Sequence, residues 1–334
     1  MADSPEQLTT RTGDGLRLSI DRYAPREDSR GAIVLQHGLG SNNRAFVVPG
    51  VSLAEHLSSL GYDVYVPELR GAGRSDRPGS WSLDDYVEQD IPAILRAVLQ
   101  HSGQPKVSWV GHSMGGILLM MYGIEHPELP VERFVGVGSS LDYTAGKNVY
   151  GSMMRLLPLM GALRALPFDR LAQLSAPVSG RGPLLPVERM NFWRSNVERG
   201  VMLDVITHGF TPIPIELFRA LASTFEPGGF SRAGGSILYL PRAERFQVPS
   251  LLIGGEGDAQ CDPEAVAATA RILSGAPVQH LAFGKSFGHA DHYGHFDLLV
   301  GKRAPQEVWP HITRFLQGDE DGDRAAASTM HGAA

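Results

Sequence analysis

The chain has 334 residues, room for one large α/β domain with an insertion, and its 43% hydrophobic and 20% charged residues are the balance of an ordinary globular protein. A net charge of −6 without any run of Lys or Arg argues against a nucleic-acid surface, and no stretch approaches the roughly 18–20 consecutive apolar residues that span a bilayer. The first residues, Met-Ala-Asp-Ser-Pro-Glu-Gln, lack a basic-then-apolar leader pattern, and the single cysteine, Cys261, excludes an intramolecular disulfide, so a soluble, cytoplasmic protein is expected.

In chain order, short β-like runs alternate with helix-like ones, the pattern of a mostly parallel sheet with helices on both faces. After an Asp14-Gly15 turn, residues 16–23 alternate as an edge strand, and the apolar run 32–36 suits a buried one. Residues 51–60 read as a helix stopped at Gly61, and 63–69 as the next strand. Residues 86–99 carry apolar side chains at 87, 91, 94, 95 and 98, one helical face, with Pro92 near its start. A strand at 107–110, a helix opening at Gly116 and a strand at 134–137 follow. From about 142 to 235 the strands give way to helical stretches, such as 153–166 and 192–206, broken by prolines and glycines. That block reads as a helical lid inserted into a core formed by 1–141 and 236–317. Strands return at 250–253 and 278–283, a helix opens at Asp262-Pro263 with Asp262 as N-cap, and a last helix covers about 305–316. The tail, 318–334, is acidic and then Ala/Ser/Gly-rich, and is expected to be disordered.

The most informative stretch is Gly111-His112-Ser113-Met114-Gly115, a G-x-S-x-G sequence at a strand-to-helix junction. Such a turn is tight enough to strain the serine backbone, and glycine two residues to either side removes the collision. A serine hydroxyl is a weak nucleophile that needs a base, and the base needs an orienting carboxylate, in the chain order Ser, acid, His. For the acid, the apolar run 251–253 ends in Gly254-Gly255-Glu256-Gly257-Asp258. Asp258 is the first choice and Glu256 the second, whereas Asp262 is better explained as a helix cap. For the base, the loop after Phe283 offers His289, His292 and His295. His295 is preferred, because Gly294 precedes it and an apolar stretch follows, and His289 is the competitor. The oxyanion hole calls for two backbone N–H groups. Met114 supplies one, and Leu39, in His37-Gly38-Leu39-Gly40, is the expected second, with His37 holding that loop by hydrogen bonding.

Three other features read as structural. Arg70-Gly71-Ala72-Gly73-Arg74-Ser75 lacks the ending of a phosphate-binding P-loop and reads as a turn near the site. His289, Asp291, His292, His295 and Asp297 gather metal-ligating groups, but their spacing matches no metal signature, so no metal or other cofactor is expected. Cys261 stands in no nucleophile motif.

Together, His37-Gly38, Arg70-Gly71-x-Gly73-x-Ser75, Gly111-x-Ser113-x-Gly115 and the late Asp and His resemble the α/β-hydrolase superfamily over about 15–140 and 236–317. A narrower likeness is to the gastric and lysosomal acid lipase group. It is carried by Leu53-Ala54-x-x-Leu57, Gly61-Tyr62-Asp63-Val64, Asp90-Ile91-Pro92-Ala93-Ile94, Gly294-His295-x-Asp297-Leu298 and Ala304-Pro305-x-x-Val308-Trp309. In that family the histidine of the His-x-Asp element is the base, which the resemblance implies for His295. The chain departs from it in carrying Met114 where those lipases commonly have glutamine, in lacking their cysteines, and throughout 142–235. The expected activity is hydrolysis of a carboxylic ester with an apolar acyl or alcohol part, through a Ser113 acyl-enzyme, beneath a lid whose Met153, Met154, Leu156, Leu157, Leu159, Met160 and Leu163 suit an adaptable apolar wall. An acyltransferase or thioesterase using the same triad is the alternative, and a non-catalytic small-molecule-binding protein of this fold a minor one. Dehalogenase and epoxide-hydrolase chemistry would require aspartate in place of Ser113.

Overall fold

Eight strands form one sheet: β1 (Glu6–Arg11), β2 (Arg17–Tyr23), β3 (Ala32–Gln36), β4 (Asp63–Pro67), β5 (Val107–His112), β6 (Val131–Val137), β7 (Ser250–Gly255) and β8 (Val278–Phe283). They run in the order β1-β2-β4-β3-β5-β6-β7-β8, antiparallel across the first three and parallel from β4 onward. The computed structural model describes residues 4–26, 29–146, 149, 164–226 and 228–319. The edge is β1 rather than β2, which was expected there. Its sequence, Glu-Gln-Leu-Thr-Thr-Arg, has no buried residue, so it lacks the apolar alternation that marks a strand.

Period-two alternation splits the strand side chains between two cores. Ala32, Val34, Tyr65, Trp109 and Leu252 face one side, while Ile33, Leu35, Val64, Val66, Val110, Leu251 and Ile253 face the other. Among the described residues the α-helices of six residues or more, in chain order, are α1 (Leu53–Ser59), α2 (Ile91–Ser102), α3 (Met114–Glu125), α4 (Phe168–Ser175), α5 (Pro186–Asn191), α6 (Arg199–His208), α7 (Ile215–Ala222), α8 (Pro263–Ile272) and α9 (Trp309–Gln317). Helices α2, α3 and α8 cover the first face, and α1 and α9 the second. Helix α3 is apolar nearly all round because it is buried nearly all round.

Local chemistry sets the helix ends. Ser52 caps α1 by accepting from Glu55 N, so that helix opens after the short strand pair Val47–Val48 and Val51–Ser52. Asp262 accepts from Ala265 N and Pro263 opens α8, as expected from the sequence. The stretch 86–99 is less regular than its periodicity suggests. Tyr86–Asp90 forms a wide turn in which Ile91 N reaches back to Tyr86 O, and only then does α2 begin. Pro92 has no N–H to give to a tighter turn, and Asp90 is held by Arg70. The last helix likewise begins late, at Trp309, after a separate helical turn at Ala304–Glu307.

Between β6 and β7 the chain leaves the sheet. Its described part consists of α4 to α7 with two small antiparallel pairs, Ala165–Leu166 with Ile213–Pro214 and Ser231–Arg232 with Ile237–Leu238. The helix expected at 153–166 falls largely outside the described residues, as do the Leu and Met side chains at 153–163, and 165–166 are strand. The helix expected at 192–206 is α6, starting only at Arg199. Beyond Asp319 the tail also lies outside the described residues.

Candidate active site

The end of β5 and the start of α3 meet at Ser113, whose φ of 54° and ψ of −125° lie outside the regions L-residues favour. Neighbouring strands hold that conformation: Ser113 N donates to Val137 O at 2.8 Å, and Ser139 Oγ donates to Ser113 O at 2.8 Å. The flanking glycines allow close packing. A Cβ on Gly115 would lie 2.1 Å from Gln36 O, and one on Gly111 would lie 2.4 Å from Gly116 Cα. Ser113 is thereby pinned at the N-terminus of α3. Met114, as the first helical residue, has an N–H with no partner inside the helix.

Gly38 and Leu39, after β3, lie against this turn. A Cβ on Gly38 would fall 2.8 Å from Ser113 Cβ and 3.2 Å from Met114 N, so the two backbones are nearly in contact. His37 holds the loop. Its Nδ1 donates to Gly38 O at 2.9 Å, and its Nε2 accepts from Leu69 N at 3.2 Å. Burial pushes its pKa down to about 4, which keeps both bonds in place at neutral pH. The turn at Arg70 serves the fold: Arg70 Nε donates to Asp90 Oδ1 at 2.8 Å, and its NH groups reach Asp14.

Asp258 and His295 come from the loops after β7 and β8 and meet: His295 Nδ1 lies 2.6 Å from Asp258 Oδ2. Asp258 Oδ1 accepts from Gln260 N at 2.8 Å and Cys261 N at 3.0 Å, which fixes the carboxylate. Both side chains are buried. The other candidates lie elsewhere. Glu256 accepts from Ser286 and pairs with His292 Nδ1 at 2.8 Å. His289 lies over the Phe283 ring, its Nδ1 beside the Gly284 backbone. Asp291 pairs with Lys285, and Asp262 caps α8.

A cavity of about 40 Å³, open to solvent, is lined by Gly38, Leu39, Ser113 and His295. Leu166, Phe168, Phe210, Ile213 and Phe218 of the insertion wall the rest, and the amides of Asn191 and Gln260 bond each other at 3.1 Å on its side. An apolar groove of about 370 Å³ between α4 and α5 shares Leu166, Phe168 and Met190 with this cavity.

Sequence reasoning passed over His112, inside the motif itself. Its Nε2 donates to His295 O at 3.0 Å, and its ring lies 4.5 Å from the His295 ring. Burial, with His295 beside it, pushes its pKa well below the ordinary value, so it is neutral. Asn191, Gln260 and Asp297 were passed over as site residues as well. Asn191 and Gln260 meet 69 residues apart, and Asp297 reaches Trp193 across 104; the sequence drew notice to Asp297 only through the Gly-His-x-Asp spacing and the group of metal-ligating side chains.

Comparison with known proteins bears on the family and the fold. The family model for the alpha/beta hydrolase fold matches residues 31–301. Human lipase member M is 32% identical over 360 aligned positions, covering 94% of this chain and 83% of the lipase. Human lipase member K is 30% identical over 357, covering 93% and 87%. Among solved structures, a thermophilic esterase from Thermogutta terrifontis superposes with a TM-score of 0.62 at 15% identity, over 94% of this chain and 98% of that one, a likeness of fold.

Proposed function

This chain belongs to the alpha/beta hydrolase family, and on that premise we propose that it hydrolyses carboxylic esters through Ser113, His295 and Asp258. The observation that carries the reading is the 2.6 Å contact between His295 Nδ1 and Asp258 Oδ2, with His295 lining the same cavity as the strained Ser113. Asp258 holds the Nδ1–H tautomer, leaving the His295 Nε2 lone pair as the base. That nitrogen takes the Ser113 hydroxyl proton while Oγ attacks the acyl carbon. The oxyanion that forms accepts from the N–H groups of Met114 and Leu39. As it collapses, the C–O bond to the alcohol breaks and His295 returns the proton to the departing oxygen. Water then gives a proton to His295 and attacks the Ser113 ester. As the second intermediate collapses, the bond to Ser113 Oγ breaks, His295 returns the proton to that oxygen, and the acid leaves.

The cavity's walls of Leu, Ile and Phe favour an apolar acyl or alcohol part, because burying it there removes apolar surface from water on both partners. Ser113→Ala is expected to abolish turnover of p-nitrophenyl esters with the melting temperature retained. Undiminished turnover would remove Ser113 from the chemistry.

A further inference from the structure

The loop that carries His295 is gripped by the insertion on both sides of the histidine. Phe296 N donates to Asn191 O at 2.9 Å and Lys302 N to Asn196 O at 2.6 Å, while Asn196 Nδ2 donates to His292 O at 3.0 Å. Gly294 approaches so closely that a Cβ there would sit 2.6 Å from Phe192 C and Trp193 N. At the centre lies Asp297. Its Oδ2 accepts from Gly294 N at 2.8 Å, in the base loop, and from Trp193 N at 2.6 Å, in the insertion. Its Oδ1 is buried with no partner among the described residues, and the whole side chain is out of solvent.

We propose that Asp297 is a positioning residue for the base: as an uncharged carboxylic acid it ties the His295 loop to segment 191–196 of the insertion, and so holds the imidazole between Asp258 and Ser113. The proposal rests on the reading of His295 as base given above. Burial raises the Asp297 pKa to about 8; the two amides oppose the rise, and nearby Asp258 and Asp291 add to it. An ionised carboxylate here would leave a buried anionic oxygen without a donor. It would also set a second negative charge near the Asp258–His295 pair, raising the pKa of the base. The neutral acid does neither. A neutral acid and a primary amide present the same pattern, one acceptor oxygen beside one donor group, and that equivalence makes the proposal testable.

The test compares Asp297→Asn, Asp297→Val and Asn196→Ala, with kcat and KM for p-nitrophenyl butyrate measured from pH 5 to 9 beside each melting temperature. Asp297→Asn should keep kcat within about threefold and leave the acid-limb midpoint of kcat/KM unmoved, since no charge is lost. Asp297→Val should lower kcat tenfold or more, with KM within about threefold. If that variant does not fold, Asn196→Ala decides: it removes one tie to the base loop and should lower kcat threefold or more with the fold retained. A downward shift of the acid-limb midpoint by half a unit in Asp297→Asn would mean an ionised Asp297 and overturn the proposal. So would an Asn variant as impaired as the Val variant, or wild-type kcat in folded Asp297→Val or Asn196→Ala. Failure of the underlying reading looks different: His295→Ala would then match the wild type.

Discussion

Gly38→Ala separates the oxyanion hole from the rest of the site. The added methyl group would lie 2.8 Å from Ser113 Cβ, 3.0 Å from His112 O and 3.2 Å from Met114 N, where ordinary contact begins near 3.4 Å. The elbow cannot yield, because its backbone is bonded to Val137 O and to Ser139 Oγ. The loop after β3 must therefore retreat by about 0.6 Å at the tightest point, taking the Leu39 amide with it. Deleting one oxyanion donor costs about 10²–10³ in kcat, and a misplacement of about 1 Å costs about 10². A retreat of this size is expected to lower kcat by about 10–100-fold, roughly 1.4–2.7 kcal/mol of barrier, with KM within about threefold. Steady-state kinetics on p-nitrophenyl butyrate, with a circular-dichroism melt to show folding, provide the assay. Wild-type kcat in the folded variant would refute the assignment of Leu39, and a raised KM at constant kcat would make the loop a binding wall only.

Asp258→Asn can keep both backbone bonds through its oxygen, but turns an amide N–H toward His295 Nδ1 and forces the wrong tautomer. A fall in kcat of about 10⁴-fold is expected, and a fall of less than tenfold would assign the acid elsewhere. His295→Ala should remove several orders of magnitude of kcat and His289→Ala less than threefold, since His289 faces Phe283; the reverse ranking would exchange their roles. Stability should depend on pH through His37 and His112, whose folded pKa values are lowered by burial. Their contribution is complete above the unfolded value of about 6.5 and is lost as pH falls toward 4, at up to about 1.4 kcal/mol per pH unit for each histidine. Chemical denaturation from pH 7.5 to 4.5 checks this. His37→Gln should flatten the slope, and an unchanged slope would show that His37 is protonated in the fold.

The elbow was legible as a strained strand-to-helix turn because its geometry is local: five residues, one junction, two glycines that nothing bulkier can replace. The place of Asp258, at the tip of a Gly-rich turn after an apolar strand and beside His295, was legible for a similar reason. The sequence favours His295 over His289 through the apolar stretch that follows it and through the family resemblance, although each follows a glycine in the same loop; three-dimensional packing turns His295 toward Asp258. Polar β1 was missed because an outermost strand need not alternate. The late start of α6 had no local cause either. Asn191 to Asn196 are bonded to the base loop about a hundred residues away, and that contact competes with helix formation. For the same reason the bonds of His112 to His295 and of Asp297 to Trp193, between residues far apart along the chain, are not revealed by local spacing.

The central claim, that Ser113 is a nucleophile activated by His295 and Asp258, is tested most directly by covalent capture. A fluorophosphonate incubated with the protein, followed by intact-mass and peptide analysis, is expected to give one adduct, on Ser113. The adduct should be absent in Ser113→Ala and form at least a hundredfold more slowly in His295→Ala. An adduct on another residue, or none on a protein that still turns over esters, would contradict the account.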